Sequence, residues 1–208
     1  MEMDDLFEKG QKLPLIEEFY TVQGEGYHTG KAAYFIRIGG CDIGCRWCDT
    51  KISWNADIHC LMQTDEIIAN AARQKAKAIV VTGGEPLSYD LNYLCLKAKE
   101  AGLMTFLETS GAYPLTGEWD WICLSPKFQK PPVDELYGLA DELKVIIYND
   151  EDFNWAEDCS RKIGTNCKMY LQPEWSKKAE NTVKIFEYIK QHPKWNLSVQ
   201  LHKYLNIP

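Results

Sequence analysis

Three cysteines are clustered in the first quarter of the chain, and their spacing can do redox chemistry. They are Cys41, Cys45 and Cys48, in a C-x3-C-x2-C arrangement within the segment CDIGCRWC. Three thiolates on so short a loop can each bind one corner of an iron–sulfur cubane. A structural zinc site and an ordinary electron-transfer cluster both require four protein ligands. Three ligands therefore leave one iron open, and an open iron is where a substrate or a cofactor can bind.

A zinc site is the alternative, because His59 and Cys60 follow Cys48 by 11 and 12 residues and could complete it. The acidic start MEMDDLFEKG is followed by no hydrophobic stretch, so we expect no secretory signal and a cytoplasmic location. In that reducing compartment a disulfide framework is not expected. We interpret the other cysteines as core or surface residues without an assigned role: Cys60, Cys95, Cys123, Cys159 and Cys167.

The composition is that of a globular protein of modest size. The chain has 208 residues, 45% of them hydrophobic and 25% charged, so we expect one domain over residues 1–208. No apolar run approaches the ~20 residues that span a bilayer, so no membrane association is expected. The 23 Lys and Arg against 30 Asp and Glu leave a net charge of −7. This balance argues against direct nucleic-acid binding, because phosphate binding depends on Lys and Arg.

Apolar, β-branched runs alternate with amphipathic stretches along the chain. Such alternation predicts right-handed βαβ units on a parallel sheet. Because a closed (β/α)8 barrel needs about 250 residues, we predict an α/β fold with a partial, open parallel β/α barrel. Strands are predicted at residues 34–38, 78–82, 103–107, 121–124, 143–148, 168–172 and 197–201, with an edge strand within 14–21. Helices are predicted at residues 64–75, 90–102, 150–163 and 178–191.

The unusual sequences of the chain all follow predicted strands. GGCDIGCRWCDT follows the strand at 34–38, and GGEP, ETSGA and SPK follow the next three strands in turn. The carboxyl ends of parallel strands share one edge of a sheet. We therefore expect the chemistry to gather at that edge.

The cysteine segment, with Trp47 before its last cysteine, and GGEP at residues 83–86 together resemble the radical S-adenosylmethionine (SAM) enzymes. The resemblance implies an abbreviated radical SAM core and a 4Fe-4S cluster whose open iron chelates SAM, with the GGEP strand end holding the methionine amino group. It implies that an electron from the reduced cluster cleaves SAM and that the 5′-deoxyadenosyl radical abstracts a hydrogen from the substrate. It also implies an electron donor such as flavodoxin or ferredoxin.

Further strings are similar to one family within that superfamily, the 7-carboxy-7-deazaguanine synthases. The resemblance implies a homodimeric lyase that converts 6-carboxy-5,6,7,8-tetrahydropterin to 7-carboxy-7-deazaguanine with loss of ammonia. It implies SAM and Mg²⁺ as cofactors and a place in queuosine and 7-deazapurine biosynthesis. The strings are FYTVQGEG at 19–26, Arg37, ETSG at 108–111, SPK at 125–127, LQP at 171–173 and QLHK at 200–203.

The same resemblance assigns roles to individual positions, with no catalytic residue beyond the cofactor radical. The cluster loop covers residues 39–53, and the C-terminal segment, residues 197–208, closes on the substrate. The implied SAM site is Trp47, Cys48, Asp49, Gly84, Glu85, Ser125, Pro126, Lys127, Gln172, Pro173, Glu174 and Trp175. The implied substrate site is Val22, Gln23, Gly24, Arg37, Thr82 and Pro208, and the implied Mg²⁺ ligand is Thr50.

Several of these positions have a plain structural alternative. Arg37 suits a substrate carboxylate, because a guanidinium binds it with two hydrogen bonds, but it could equally form a salt bridge at a strand end. Thr50 suits Mg²⁺, which keeps several waters and takes further ligands from substrate, but it could merely cap the loop. His202 and Lys203 could face the ligand or form a solvated strand end.

Two other functions remain open from the sequence. A radical activase, which abstracts hydrogen from a glycine of a partner protein, shares the cysteine loop and GGEP. It does not account for Arg37, Thr50 or QLHK. A non-catalytic iron–sulfur or zinc module would need a fourth ligand such as Cys60.

Overall fold

A computed structural model describes residues 9–208, and one nine-stranded sheet forms its centre. The acidic residues 1–8 lie outside the described residues. The strand order is β3-β1-β2-β4-β5-β6-β7-β8-β9, so β3 and β9 are the two edges and the barrel is open. The strands are β1 (Lys12–Val22), β2 (Ala32–Ile38), β3 (Cys60–Gln63), β4 (Ala78–Gly83), β5 (Met104–Thr109), β6 (Trp121–Leu124), β7 (Glu142–Ile147), β8 (Lys168–Pro173) and β9 (Trp195–Leu197).

Helices connect most of the strands, and every neighbouring pair from β2 to β9 is parallel. The prediction of an open parallel β/α barrel is confirmed. No helix within residues 9–208 combines the length and the apolar character that crossing a bilayer requires. The helices are α1 (Thr64–Ala72), α2 (Asn92–Glu100), α3 (Asp134–Leu139), α4 (Glu151–Ser160), α5 (Lys178–Gln191) and α6 (Leu201–Leu205).

The two faces of the sheet carry different residues because side chains alternate along each strand. On the outer face, apolar side chains such as Ile36, Val81 and Leu107 are fully buried in the main core, which also includes the buried sides of the helices. The opposite surface, here called the inner face, is partly polar and holds the site. It comprises Phe35, Arg37, Val80, Thr82, Phe106, Glu108, Cys123, Glu142 and Lys144.

The loop between β1 and β2, residues 23–31, lies across the inner face and is here called the hairpin loop. Its Tyr27 ring stacks on Trp121 with ring centres 4.8 Å apart, and its His28 ring stacks on Phe106 at 4.6 Å. The Tyr27 amide donates to Glu142 Oε2 at 3.2 Å. These partners lie toward the amino ends of their strands. The hairpin loop therefore covers that half of the inner face and leaves the half at the carboxyl ends open.

Two predicted elements differ in the structure. The strand within 14–21 exists as β1, but it is not an edge, because β3 pairs antiparallel with it and places Cys60 opposite Leu15. Residues 197–201 were expected to form one strand from their alternating pattern, but β9 ends at Leu197 and α6 begins at Leu201. The reason is tertiary, because Ser198 Oγ donates to Gln172 Oε1 at 2.6 Å and draws the chain toward the site.

Gly83 and Gly84 bring the end of β4 against the cluster loop. Gly83 has a φ of +140°, a conformation that L side chains rarely adopt. A Cβ on Gly84 would lie 2.1 Å from the carbonyl oxygen of Gly40. The Glu85 amide donates to that same oxygen at 2.8 Å. The paired glycines thus let the GGEP turn and the cluster loop form one wall.

Candidate active site

A cavity of about 300 Å³ opens at the carboxyl ends of the parallel strands. Its wall combines the cluster loop, the GGEP turn, the inner face and the C-terminal segment. Cys41, Cys45 and Cys48 all line it. The cavity lies at the edge of the sheet where the strand-end sequences were expected to meet.

The other predicted site residues also line this cavity, with one exception. Pro126 does not contribute to the wall, although its neighbours Ser125 and Lys127 do. Placement in the wall leaves the individual roles as predictions. The lining SAM positions are Trp47, Asp49, Gly84, Glu85, Ser125, Lys127, Gln172, Pro173, Glu174 and Trp175, in addition to Cys48. The lining positions for substrate and Mg²⁺ are Val22, Gln23, Gly24, Arg37, Thr82, Pro208 and Thr50.

The cluster loop holds its thiols partly out of water. Its backbone is fixed by hydrogen bonds from the Gly40 amide to Ser53 O at 2.6 Å and from the Cys41 amide to Trp54 O at 3.3 Å. Burial raises the pKa of the Cys41 and Cys45 thiols above the usual value. Thiolates at these positions therefore need a positively charged partner, and the iron ions of a cluster would supply that charge.

The donor set fits a cluster rather than a single ion. Among residues 9–208, no three side chains of His, Cys, Asp or Glu are placed to hold one metal ion. A cubane binds each thiolate through a different iron, so its ligands lie further apart than those of a single ion. Cys60 is exposed on the edge strand β3, and the His59 ring contacts Ile52 O through Nε2 at 2.9 Å. Neither lines the cavity, so the zinc alternative lacks its fourth ligand there.

The remaining four cysteines are buried and form no disulfide, in agreement with their interpretation as core residues. Burial raises the pKa of each thiol. They are therefore neutral, packed side chains at neutral pH. These cysteines are Cys95, Cys123, Cys159 and Cys167.

Glu85 of the GGEP turn is fully buried, and its carboxylate binds other parts of the chain. It accepts hydrogen bonds from Thr109 Oγ1 at 2.5 Å, from Ser110 Oγ at 2.5 Å and from the Leu87 amide at 3.0 Å. Glu85 therefore ties the end of β4 to the ETSG segment after β5. The side chain supports the wall, and its backbone faces the cluster loop.

Lys127 lines the cavity near the cluster loop. Its ammonium group donates to the carbonyl oxygen of Ser125 and, at 2.7 Å, to Ser125 Oγ. The same nitrogen lies 5.8 Å from the ring centre of Trp47. Burial lowers the pKa of Lys127, and the nearby Cys45 opposes this shift. The SPK segment thus places a cation near the cysteines.

Trp175 and Glu174 form the far wall. Lys178 Nζ lies 3.6 Å and Lys203 Nζ lies 5.2 Å from the centre of the Trp175 ring. Two cations therefore lie close to this ring. The Glu174 carboxylate accepts the Lys177 amide at 3.2 Å and the Ser176 hydroxyl at 2.5 Å. Glu174 therefore caps the short turn that presents Trp175.

The C-terminal segment is bonded to the cluster loop. Lys203 Nζ donates to Asp49 Oδ2 at 2.7 Å, and Gln200 Nε2 donates to the same oxygen at 3.3 Å. Thr50 Oγ1 donates to Asp49 Oδ1 at 3.2 Å. Although burial raises the pKa of Asp49, the Lys203 ammonium lowers it below its usual value. The last residue, Pro208, accepts a hydrogen bond from Thr21 Oγ1 at 3.2 Å through its carbonyl oxygen.

Arg37 lines the cavity and also forms the salt bridge of its structural alternative, while its binding of a substrate carboxylate stays a prediction. Its Nε donates to Glu17 Oε1 at 2.7 Å. That bond orients the guanidinium while its terminal amino groups remain the part suited to a ligand carboxylate. Thr82 is the register partner of Arg37 on β4.

An acidic pair around one buried lysine was missed by sequence reasoning. Lys144 Nζ donates to Glu25 Oε2 at 2.7 Å and to Glu108 Oε2 at 2.9 Å, and all three residues line the cavity. Burial raises the pKa of Glu25, but the Lys144 charge and hydrogen bonds from Lys144 and Gln200 lower it to about 2. The available signal was a single cation inside the apolar run LKVIIY.

Comparisons with known proteins agree with this arrangement. The Radical SAM superfamily matches residues 35–123, which contain the cluster loop and the GGEP turn. The 7-carboxy-7-deazaguanine synthase of Flavobacterium psychrophilum is 60% identical over 201 residues, which cover 97% of this chain and 95% of that protein. The enzyme of the same name from Synechocystis is 52% identical and covers 93% of each chain. The crystal structure of QueE from Escherichia coli matches with a TM-score of 0.82 at 28% identity and covers 97% of this chain and 99% of that one.

A three-cysteine loop at the carboxyl edge of an open parallel β/α barrel defines a radical SAM enzyme, which uses a 4Fe-4S cluster and SAM. The predicted superfamily and cofactor pair are therefore confirmed. Within that class, the chain belongs to the 7-carboxy-7-deazaguanine synthase family. The activase and the non-catalytic module do not agree with these relatives.

Proposed function

We propose that this chain converts 6-carboxy-5,6,7,8-tetrahydropterin to 7-carboxy-7-deazaguanine with loss of ammonia, in queuosine and 7-deazapurine biosynthesis. The observation that carries the proposal is that the three cysteines, Arg37 and the Glu25 and Glu108 pair line one cavity. The substrate has one carboxylate and a flat ring whose pyrimidine edge is rich in N–H donors. A guanidinium and a pair of carboxylates match these two features.

Separate parts of the wall do separate work in this reaction. Cys41, Cys45 and Cys48 would hold the cluster, which together with SAM supplies the radical that abstracts a hydrogen from the substrate. Arg37 binds the substrate carboxylate, and the Thr82 hydroxyl lies beside it in register. The C-terminal segment and the cluster loop close over the cavity and limit the access of water.

The ring edge faces the hairpin loop in this proposal. Gln23 is 8% exposed, and its Nε2 donates to Glu108 Oε1 at 3.1 Å, which orients both side chains. The Gln23 backbone is also paired, because its amide donates to Lys31 O at 2.8 Å. A hairpin loop held in this way presents a preformed polar edge, so that little conformational entropy is lost when substrate binds.

We also propose Thr50 as the protein ligand of Mg²⁺, with water and the substrate carboxylate as the others. A hydroxyl beside the Asp49 carboxylate suits an ion that prefers oxygen and dehydrates reluctantly. Thr50→Val is expected to raise the Mg²⁺ concentration needed for half-maximal turnover. Thr50→Ser keeps the hydroxyl and is expected to need the same Mg²⁺ concentration as the wild type. An unchanged Mg²⁺ dependence in Thr50→Val would exclude this ligand.

The assembly we propose is a homodimer of one domain over residues 1–208, located in the cytoplasm and reduced by flavodoxin or ferredoxin. The resemblance of the whole chain to the family supports these points. Sedimentation equilibrium is expected to give twice the chain mass. A monomer at assay concentrations would exclude the dimer but would have no bearing on the proposed reaction.

Turnover by the anaerobically reconstituted enzyme tests the reaction. With dithionite, SAM, Mg²⁺ and 6-carboxytetrahydropterin, it is expected to release 7-carboxy-7-deazaguanine, with one enzyme-bound SAM supporting many turnovers. Cleavage of SAM without that product would refute the assigned substrate. Omission of the pterin is the matched control, because it separates SAM cleavage from the coupled reaction.

A further inference from the structure

Lys144 is a buried cation in the wall of the cavity, and its place in the reaction is not explained by the cluster, SAM or the substrate carboxylate. It lies on β7 between Leu143 and Val145, which face the main core, so its side chain points to the inner face. The side chain is only 5% exposed. Burying an ammonium group is costly, and apolar replacements of buried ion pairs are often as stable. Stability alone is therefore a weak reason for a lysine here.

The partners of Lys144 come from two distant parts of the chain. Glu25 belongs to the hairpin loop and Glu108 to the end of β5, and the ammonium group bonds one carboxylate oxygen of each. The other oxygens are also oriented, since Gln200 Nε2 donates to Glu25 Oε1 at 2.9 Å and Gln23 Nε2 donates to Glu108 Oε1 at 3.1 Å. The result is two carboxylates held side by side in the cavity wall.

Each carboxylate retains capacity to accept further hydrogen bonds. An ionised carboxylate has about four lone-pair sites. The bonds above use two at each residue, and Gln172 on Glu25 and the Cys123 thiol on Glu108 each use one more. Without a cation, two neighbouring carboxylates repel each other, and one of them takes up a proton. A protonated carboxyl group is a donor, so the pair would no longer accept from two N–H groups. The ammonium of Lys144 therefore controls the hydrogen-bonding character of this wall.

Charge on Lys144 is maintained by its surroundings. Burial lowers the pKa of Lys144, but the carboxylates around it, Glu108, Glu25 and Glu142, raise it well above its usual value. Burial also raises the pKa of Cys123, which remains a neutral thiol at neutral pH. The carboxylates are thus the negative partners of the ammonium group under those conditions.

The acidic pair stands apart from Arg37 on the same face. Arg37 on β2 pairs with Thr82 on β4. The register of β4 with β5, in which Val81 pairs with Leu107, places Glu108 on β5 beside Thr82. Two interstrand spacings separate Arg37 from Glu108, roughly 10 Å. A flat ligand with a carboxylate at one end and N–H donors at the other can meet both groups.

We propose that Lys144 is a positioning residue that holds Glu25 and Glu108 ionised and side by side, so that the pair accepts hydrogen bonds from the N–H edge of the substrate ring. The inference rests on the proposed function, and it adds the group that sets the specificity of that edge. Lys144 acts through the two carboxylates and does not touch the reacting atoms.

Lys144→Met in the reconstituted enzyme tests this role, because methionine keeps most of the length of the side chain without its charge. We expect the KM for 6-carboxytetrahydropterin to rise at least about tenfold, while kcat at saturation stays within about threefold. Calorimetric binding of the pterin without SAM is expected to weaken in parallel. Iron content and SAM affinity are expected to be unchanged.

Specificity gives a readout that a merely structural role would not move. The 2-oxo analogue of the substrate presents an acceptor where the substrate presents an amino donor. Wild-type enzyme is expected to bind this analogue at least about a hundredfold more weakly than the substrate, because buried acceptors would be left unpaired. Lys144→Met is expected to lose most of that discrimination.

A mutant cycle tests whether Lys144 acts through the carboxylates. In a Glu25→Gln/Glu108→Gln background, adding Lys144→Met is expected to change the KM by less than about threefold. Lys97→Met is the matched control, because it makes the same substitution at an ion-paired lysine outside the cavity wall. Its KM and discrimination are expected to match the wild type.

The outcomes separate this inference from the proposed function. Wild-type enzyme that does not turn over the pterin counts against the function. The role of Lys144 is overturned if the wild type turns over the pterin and Lys144→Met has the same KM and the same discrimination. It is also overturned if Lys144→Met raises the KM in the Glu25→Gln/Glu108→Gln background as much as it does alone. If Lys144→Met does not fold, the double variant Glu25→Gln/Lys144→Met replaces it, because it leaves one carboxylate and no cation. The same rise in KM and the same loss of discrimination are expected of it.

Discussion

At the scale of single residues, the environment of each cysteine decides what its thiol can do. Cys41, Cys45 and Cys48 face a common cavity, whereas Cys60 lies exposed on an edge strand. The other four cysteines are buried. The same residue type therefore occurs in three environments in one chain. The sequence distinguished only Cys41, Cys45 and Cys48, through their spacing.

Removal of one clustered cysteine is expected to abolish the metal site. Cys45→Ala leaves two ligands, so the reconstituted protein is expected to lose most of its iron and all SAM cleavage. Cys60→Ala is the control and is expected to keep both, because its side chain lies outside the cavity. Iron analysis and the visible absorption of the cluster measure the result, and equal losses in the two variants would disprove the open-iron interpretation.

Arg37 is expected to act mainly in substrate binding. Arg37→Lys keeps the charge but cannot form two parallel hydrogen bonds to a carboxylate, so the KM for the pterin is expected to rise about tenfold or more. Glu17→Gln, which alters only the outer partner of Arg37, is the control, and its KM is expected to change by less than about threefold. A larger effect of Glu17→Gln than of Arg37→Lys would favour a structural salt bridge.

At the scale of elements, Glu157 joins three of them. This α4 residue accepts hydrogen bonds from Tyr188 on α5 at 3.0 Å, from Trp195 on β9 at 2.8 Å and from Lys194 at 2.6 Å. Although burial raises the pKa of Glu157, these donors lower it to about 2. The contact therefore holds the last strand of the sheet to its covering helices.

Replacement of Glu157 is expected to change how stability depends on acid. The folded-state pKa of about 2 lies below the ordinary 4.5, so the stabilisation is present above about pH 4.5 and is lost as the pH falls toward 2. Glu157→Gln is expected to lower the free energy of unfolding by about 1 to 2 kcal/mol at pH 7 and to flatten this pH dependence. Denaturant unfolding at several pH values measures it, with Glu187→Gln, a more exposed ion pair, as the control. A parallel pH dependence in Glu157→Gln and wild type would contradict the assignment.

At the scale of the whole molecule, the C-terminal segment joins parts that are far apart in the chain. The Leu201 amide donates to Gly24 O at 2.9 Å, and Lys203 bonds Asp49. The hairpin loop, the cluster loop and the end of the chain are therefore connected around one cavity. This connection around the cavity exists only in the assembled barrel.

Deletion of residues 202–208 is expected to impair closure without unfolding the barrel. These residues contribute no side chain to the main core, so the free energy of unfolding is expected to change by less than about 1 kcal/mol. Product formation is expected to fall at least about tenfold, with SAM cleavage partly uncoupled from product. Leu205→Ala, at an exposed position of α6, is the control. Full coupling in the shortened chain would show that the segment does not close the site.

Much of the fold follows from local pattern, and the exceptions have tertiary causes. The strands at β2 and β4 and the helix at α5 lie where periodicity predicts them. The strand predicted at 197–201 is cut short, because Ser198 bonds Gln172 in the site, a contact that no local pattern reveals. The short helix α3 was missed, since its six residues are too few to show a clear helical period.

The sequence by itself determined the open parallel barrel, the three-thiol loop and the family, because alternation, spacing and short motifs are local properties of a chain. It placed Arg37 and the strand-end motifs at one edge of the sheet for the same reason. Only the tertiary structure decided that Lys144 would meet Glu25 and Glu108. Those residues are separated by 119 and 36 positions along the chain, and only the packing of the hairpin loop across the inner face brings their charges together.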